Sequence, residues 1–184
     1  MMKWVRCDPG AVLLLGILFF SMRAEEAIAL LAAAAVHEAG HVIALLMVGS
    51  APEGIRFQFS GPVIIYQQPH SKWKTVIASL SGPTFGVLLF FLLQSIWPIC
   101  AEVSLLLSAV NLLPVFPLDG GRALQAMLSE KKSIVMMVLG ILIPIAFLAI
   151  GLLLISRGQN GSAVLMFGAW LLLLSCQERQ FDVK

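Results

Sequence analysis

The chain has 184 residues, of which 59% are hydrophobic and 12% charged, and carries a formal net charge of +2; its mean hydropathy is +0.94. Soluble domains carry about 25% charged residues, so much of this surface must face lipid. A charge this small and this scattered excludes an electrostatic nucleic-acid binder.

Six apolar runs follow in chain order, at 11–22, 26–49, 75–97, 99–117, 133–156 and 161–176. A helix needs roughly 20 apolar residues to cross a bilayer, so the first and last are short on their own count. The first run, behind Lys3 and Arg6, has the look of a signal-peptide core. However, Ser21-Met22-Arg23-Ala24 makes a poor cleavage site, and we read the run as a retained membrane helix. The expected fold class is an all-α polytopic membrane protein of about six transmembrane helices. Cys7, Cys100 and Cys176 form no C-x-x-C pair and are expected as buried apolar thiols rather than metal ligands.

The second run holds His37-Glu38-Ala39-Gly40-His41, an H-E-x-x-H motif with no other charged side chain between residues 27 and 48. Ionisable groups are expensive to place in hydrocarbon and mark functional sites when they occur there. Residues i and i+4 share a helix face, so His37 and His41 can converge on one metal ion with Glu38 beside them as a base.

Between the second and third runs, Ile55, Phe57 and Phe59 alternate with Arg56, Gln58 and Ser60, a period-two strand pattern. Gly61-Pro62 then gives a turn before Val63-Ile64-Ile65-Tyr66. A small β-hairpin is expected. It either pairs with an extended substrate by strand addition or simply covers the site. His70, beside Pro69, reads as an ordinary surface histidine.

With six spans, one side of the membrane receives both termini and the loops after spans two and four. Ten of the twelve Lys and Arg fall there: Lys3, Arg6, Arg56, Lys72, Lys74, Arg122, Lys131, Lys132, Arg179 and Lys184. The other side has Arg23 and Arg157. Cytoplasmic loops carry the Lys/Arg excess, so both termini are expected in the cytoplasm.

A catalytic zinc site has three protein ligands and an open position. Of three aspartates, Asp8 and Asp182 lie near the termini, and Asp119 closes the run Asn111-Leu112-Leu113-Pro114-Val115-Phe116-Pro117-Leu118-Asp119-Gly120-Gly121. Spans two and four both run inward, bringing Asp119 toward the membrane face that the histidines approach. Pro114 and Pro117 break the helical ladder and can turn the backbone inward. Asp119 is the third ligand that topology favours. Its alternative role is a helix N-cap before Gly120.

These two motifs, H-E-A-G-H at 37–41 and N-L-L-P-V-F-P-L-D-G-G at 111–121, resemble the paired signatures of the site-2 protease family, intramembrane zinc metalloproteases of peptidase family M50. Ser81-Gly82-Pro83 resembles a further family element, usually followed by Asn three residues after the proline; here Gly86 takes that place. The similar region is roughly 30–122. The resemblance implies one zinc ion held by His37, His41 and Asp119, water activation by Glu38, and substrate contact by Asn111. Read from the residues alone, Asn111 could equally be a helix–helix hydrogen-bonding residue, and Ser81-Gly82-Pro83-Thr84 is first a small-residue packing patch.

The resemblance further implies a single integral-membrane peptidase domain over 1–184, with a catalytic core at about 26–122 and helices five and six at about 133–176. PDZ and CBS domains, found in some members, have no room in this spacing. The compact layout is closest to the bacterial sporulation branch, whose best-known member processes a pro-sigma factor. The implied partners are a membrane-protein substrate, the lipid bilayer of a bacterial cell and a membrane regulator; nucleic acid is not among them.

Three other classes place intramembrane histidines and acids in such a chain. A membrane desaturase needs more histidine clusters than three histidines supply. A zinc transporter leaves Glu38 and the proline-bent segment unexplained. A catalytically silent relative that binds membrane segments is the serious alternative, although such a relative would be expected to lack a ligand or Glu38. For the hairpin, Phe59→Pro separates the two roles: cleavage of a processed substrate falls if strand pairing matters, and unchanged cleavage removes that role.

Overall fold

The structure, a computed structural model, describes residues 5–9, 12, 16, 22–50, 52–58, 61–66, 71–128 and 132–181. The first apolar run, Phe59 and His70 therefore lie almost wholly or wholly outside the described residues. The chain divides into two compact units, Met1–Leu112 and Leu113–Lys184.

The first unit holds β1 (Val5–Cys7), α1 (Ala24–Met47), β2 (Pro52–Gln58), β3 (Gly61–Tyr66), α2 (Lys72–Leu93) and α3 (Pro98–Asn111). The α1 helix starts where Glu26 Oε2 accepts the Arg23 backbone N–H at 3.0 Å, with Glu25 and Glu26 at the positive end of the helix dipole. It stops at Gly49, whose φ of +79° suits the left-handed residue of a Schellman motif. Ser50 N–H reaches back to Leu45 C=O at 2.8 Å and Gly49 N–H to Leu46 C=O at 3.1 Å, satisfying carbonyls the helix cannot. Lys74 Nζ donates to Val48 C=O at 2.8 Å and ties the start of α2 to the end of α1.

Where the sequence predicted two strands, the described chain has three. The β2 and β3 strands pair antiparallel, with Ile55 opposite Ile64, and β1 adds in parallel to β2, with Arg6 opposite Arg56. The order is β1-β2-β3. The central β2 has a neighbour on each side, so among the described strands the outer edges belong to β1 and β3. The β1 strand was not foreseen, because three residues are too few to show a period.

Small residues let the three helices of this unit pack closely. The buried stripe of α1 is Ala29, Ala33, His37, Gly40, His41, Ala44 and Leu45. It faces Val76, Ala78, Ser79, Gly82, Pro83 and Gly86 of α2, and Cys100, Ala101, Ser104 and Ser108 of α3. Cys100 is buried as expected, its Sγ 3.7 Å from Ala29 C=O across the α1–α3 contact, whereas Cys176, expected buried, is exposed. Gly86 has a steric reason to be glycine: a Cβ there would meet Ser108 Oγ and stand 3.1 Å from Ser104 C=O.

The second unit holds α4 (Asp119–Met127), α5 (Lys132–Ser156) and α6 (Ser162–Phe181). The α5 and α6 helices pair through glycines, Gly151 against Leu165 and Gly168 against Leu148 and Phe147. Val115, Leu118 and Leu171 form a buried cluster extended by Leu113, Ile143, Phe147, Phe167 and Trp170. The fourth apolar run was expected to reach residue 117, but its helix ends at Asn111. Two prolines in seven residues deny the ladder two N–H donors, and the chain folds into tight turns, Val115 N–H to Leu113 C=O at 2.8 Å and Leu118 N–H to Val115 C=O at 2.9 Å. The Phe116–Pro117 bond is cis.

Three helices are long and apolar enough to cross a membrane, Ala24–Met47, Lys72–Leu93 and Ile134–Ser156; Pro98–Asn111 and Ser162–Cys176 are shorter apolar helices. Their outer faces expose large apolar side chains such as Phe91, Leu92, Leu106, Leu152 and Leu173, a surface that fits lipid and not water. At the start of α2, exposed Trp73 stands between Lys72 and Lys74, a pairing typical of membrane–water interfaces.

The α2–α3 contact yields a measurable expectation. Gly86→Ala overpacks it and lowers unfolding free energy by about 1–3 kcal/mol, and adding Ser108→Ala restores part of the loss. Denaturant unfolding in detergent checks this; full tolerance of the single variant would show that the helices can separate at that point.

Candidate metal centre

One helical turn of α1 separates His37 from His41, and both rings are buried, 3% and 9% exposed. The rings meet edge to face with centroids 4.9 Å apart, and their Nε2 atoms are 3.2 Å apart. His41 Nδ1 lies 2.7 Å from Ala78 C=O of α2. A carbonyl only accepts, so Nδ1 carries a proton, and in the neutral tautomer this leaves the lone pair on Nε2. Ser81 Oγ donates to the same carbonyl at 2.7 Å.

This arrangement fits a zinc ion. Two ligands at about 2.0–2.1 Å in a tetrahedral shell stand about 3.3 Å apart, close to the observed Nε2 separation. A ring N–H held by a backbone carbonyl is the usual support for a metal-bound histidine. The same separation also suits an N–H···N hydrogen bond between the two rings.

Glu38 lies between the histidines in sequence and is half-buried. Gly40 brings α1 against Phe85 and Ser81 C=O of α2, locking the helix turn that carries all three side chains. Asn111 is the last residue of α3, half-buried, and its Nδ2 donates to Leu107 C=O at 3.0 Å. One N–H of its amide is thus taken up within its own helix.

Asp119 belongs to the second unit. It is buried, 6% exposed, and opens α4 as its first residue, with Leu118 at the N-cap. Sequence allowed Asp119 as the cap itself; the helix begins one residue earlier than that. A carboxylate in the first turn is favoured by the helix dipole. Gly121 makes the turn possible, because a Cβ there would meet the backbone of Val115 and Phe116. The 112–118 segment crosses the first turn of α4 at that point, anchored by fully buried Val115.

The first unit therefore brings His37 and His41 together with Glu38 between them in sequence, while Asn111 ends the last helix of that unit and Asp119 opens the first helix of the other. Two contributors went unread in the sequence. The Ala78 carbonyl has no sequence signature. Gly82 lies in the Ser81-Gly82-Pro83 element, whose packing character is legible, while its position against the two histidine rings is not.

The family model described as Peptidase family M50 matches residues 58–151, just over half of the chain. The chain belongs to peptidase family M50, the site-2 protease family. The match takes in Asp119 and begins after the histidine pair, which stands on its own geometry. Among curated proteins, the chain is similar to one of Synechocystis sp. named sll0528, 29% identical over 114 residues, 54% of this chain and 30% of that protein. It is also similar to Rip3 of Mycobacterium tuberculosis, 26% identical over 189 residues, 89% of this chain and 48% of that protein. The names of both class them provisionally as zinc metalloproteases. The chain spans about half or less of the length of these relatives. Among solved structures, the site-2 protease of Methanocaldococcus jannaschii shares the fold, with a TM-score of 0.72 and 21% identity, covering 95% of this chain and 89% of that one.

Proposed function

We propose that this chain is an intramembrane zinc metalloprotease that hydrolyses a peptide bond in or near a transmembrane segment of another protein. The observation that carries this reading is the pair of buried imidazoles, Nε2 atoms 3.2 Å apart, with His41 oriented by the Ala78 carbonyl inside an M50 chain. In this reading His37, His41 and Asp119 are the ligands, because two imidazole nitrogens with a carboxylate oxygen make a zinc donor set with a fourth position left open. Bound there, one zinc ion would supply a Lewis acid that acidifies water and polarises the scissile carbonyl.

The chain's own residues divide the remaining work. Glu38, next to His37 in α1, takes the proton from the attacking water and delivers it to the leaving amine. Asn111 turns its amide from Leu107 C=O to the substrate backbone or the developing oxyanion. The apolar exterior excludes bulk water from the α1 turn, so the substrate segment must unwind locally to present its peptide bond.

The same reading places six spans across a bacterial cell membrane with both termini in the cytoplasm, on the strength of the charge distribution. It places the chain nearest the compact sporulation branch, with a membrane-tethered transcription-factor precursor such as a pro-sigma factor as the substrate class and a membrane regulator controlling access. Support for the branch is the tight spacing of the apolar runs.

Glu38→Gln decides between an active protease and a silent membrane-segment binder. Cleavage falls on the order of 10²–10⁴-fold while the protein still accumulates in the membrane, and full-length substrates build up in quantitative membrane proteomics. A zinc chelator abolishes cleavage by the wild type. Cleavage persisting in the variant, or resisting the chelator, overturns the assignment.

A further inference from the structure

We propose that Gly82 is a positioning residue for the metal ligands. Its absent side chain is the space in which the two imidazole Nε2 atoms converge, so any larger residue there displaces the ion. The inference rests on the zinc reading above and extends it to a residue that coordinates nothing.

The three atoms nearest to a Cβ built on Gly82 all belong to the histidine rings. They are His41 Nε2, His41 Cε1 at 2.6 Å and His37 Nε2 at 2.8 Å. No other described glycine has this environment. Gly40 meets Phe85 and Ser81, Gly86 meets Ser104 and Ser108, and Gly151 meets Leu165. Those three bring helices close together. Gly82 instead borders the nitrogen lone pairs.

The rings cannot simply swing aside. His41 is held on its far side by the 2.7 Å bond from Nδ1 to Ala78 C=O, one helical turn before Gly82 on the same helix. The stretch from Ala78 to Gly82 therefore grips the His41 ring at one nitrogen and clears space at the other. A methyl group at residue 82 must either break the Ala78 bond or push both Nε2 atoms off their convergence point, and either outcome removes the ligand geometry. Orienting groups of this kind change metal affinity by about 10–100-fold when lost.

The test uses the full chain in detergent with zinc alone as the probe, and no substrate. Zinc affinity is titrated, and cobalt replaces zinc so that its visible d–d bands report the ligand field. Gly82→Ala is compared with Gly151→Ala, which perturbs the α5–α6 contact in the other unit. The expected result is a zinc affinity about 10–100-fold weaker for Gly82→Ala, with the cobalt bands shifted or lost. Gly151→Ala lowers the unfolding temperature but binds zinc as the wild type does. Wild-type affinity and wild-type cobalt bands in Gly82→Ala overturn the proposal. A wild-type protein that binds no zinc instead overturns the metal reading beneath it. Should Gly82→Ala not accumulate, His41→Ala/Gly82→Ala decides: recovery of the folded protein identifies the ring as what the methyl meets, and continued loss makes Gly82 a packing residue and overturns the proposal.

Discussion

Two imidazoles buried on one face of an apolar helix are the constraint on which the first unit depends. Polar groups taken from water into hydrocarbon must find partners there or lose several kcal/mol each. His41 finds the Ala78 carbonyl, and the two Nε2 atoms find each other. The first of these contacts requires α2 to lie close against α1. That closeness explains the run of Ala, Gly and Ser along the buried faces of α1, α2 and α3, including glycines at residues 40, 82 and 86 that have no room for a side chain.

The second unit solves a different problem. A carboxylate must sit buried at a helix start next to a segment that cannot be helical. Pro114 and Pro117 end the ladder, Val115 plugs into the α5–α6 core, and Gly121 lets the returning backbone cross. The three elements work together. The prolines alone would leave a loose loop, and the Asp-Gly-Gly sequence alone would leave an ordinary helix start.

Much of this was legible in the sequence, for physical reasons that differ by residue. His37, Glu38 and His41 were readable because charge in hydrocarbon is rare and the i, i+4 spacing is fixed by helix geometry. Asp119 was readable as the one aspartate away from the termini, in a proline-bent run. The helix end at Asn111 was missed, because apolar composition continues past the point where prolines stop hydrogen bonding. The β1 strand was missed because its pairing with β2 is long-range and only three residues long. Gly82 was readable as a packing residue, but that the groups against it are the two histidine rings depends on neighbours the sequence does not show. Membership in family M50 rests on residues 58–151, and the histidine pair adds independent support from the segment before them.

The central claim is that His37, His41 and Asp119 together hold zinc. X-ray absorption at the zinc edge of the purified chain tests it most directly, on the wild type and on Asp119→Ala. The account predicts a first shell of nitrogen and oxygen at about 2.0–2.1 Å with multiple scattering from two imidazoles, and a shell altered by the loss of Asp119. A sulfur contribution at about 2.3 Å, a shell without two histidines, or a spectrum indifferent to Asp119→Ala would contradict it.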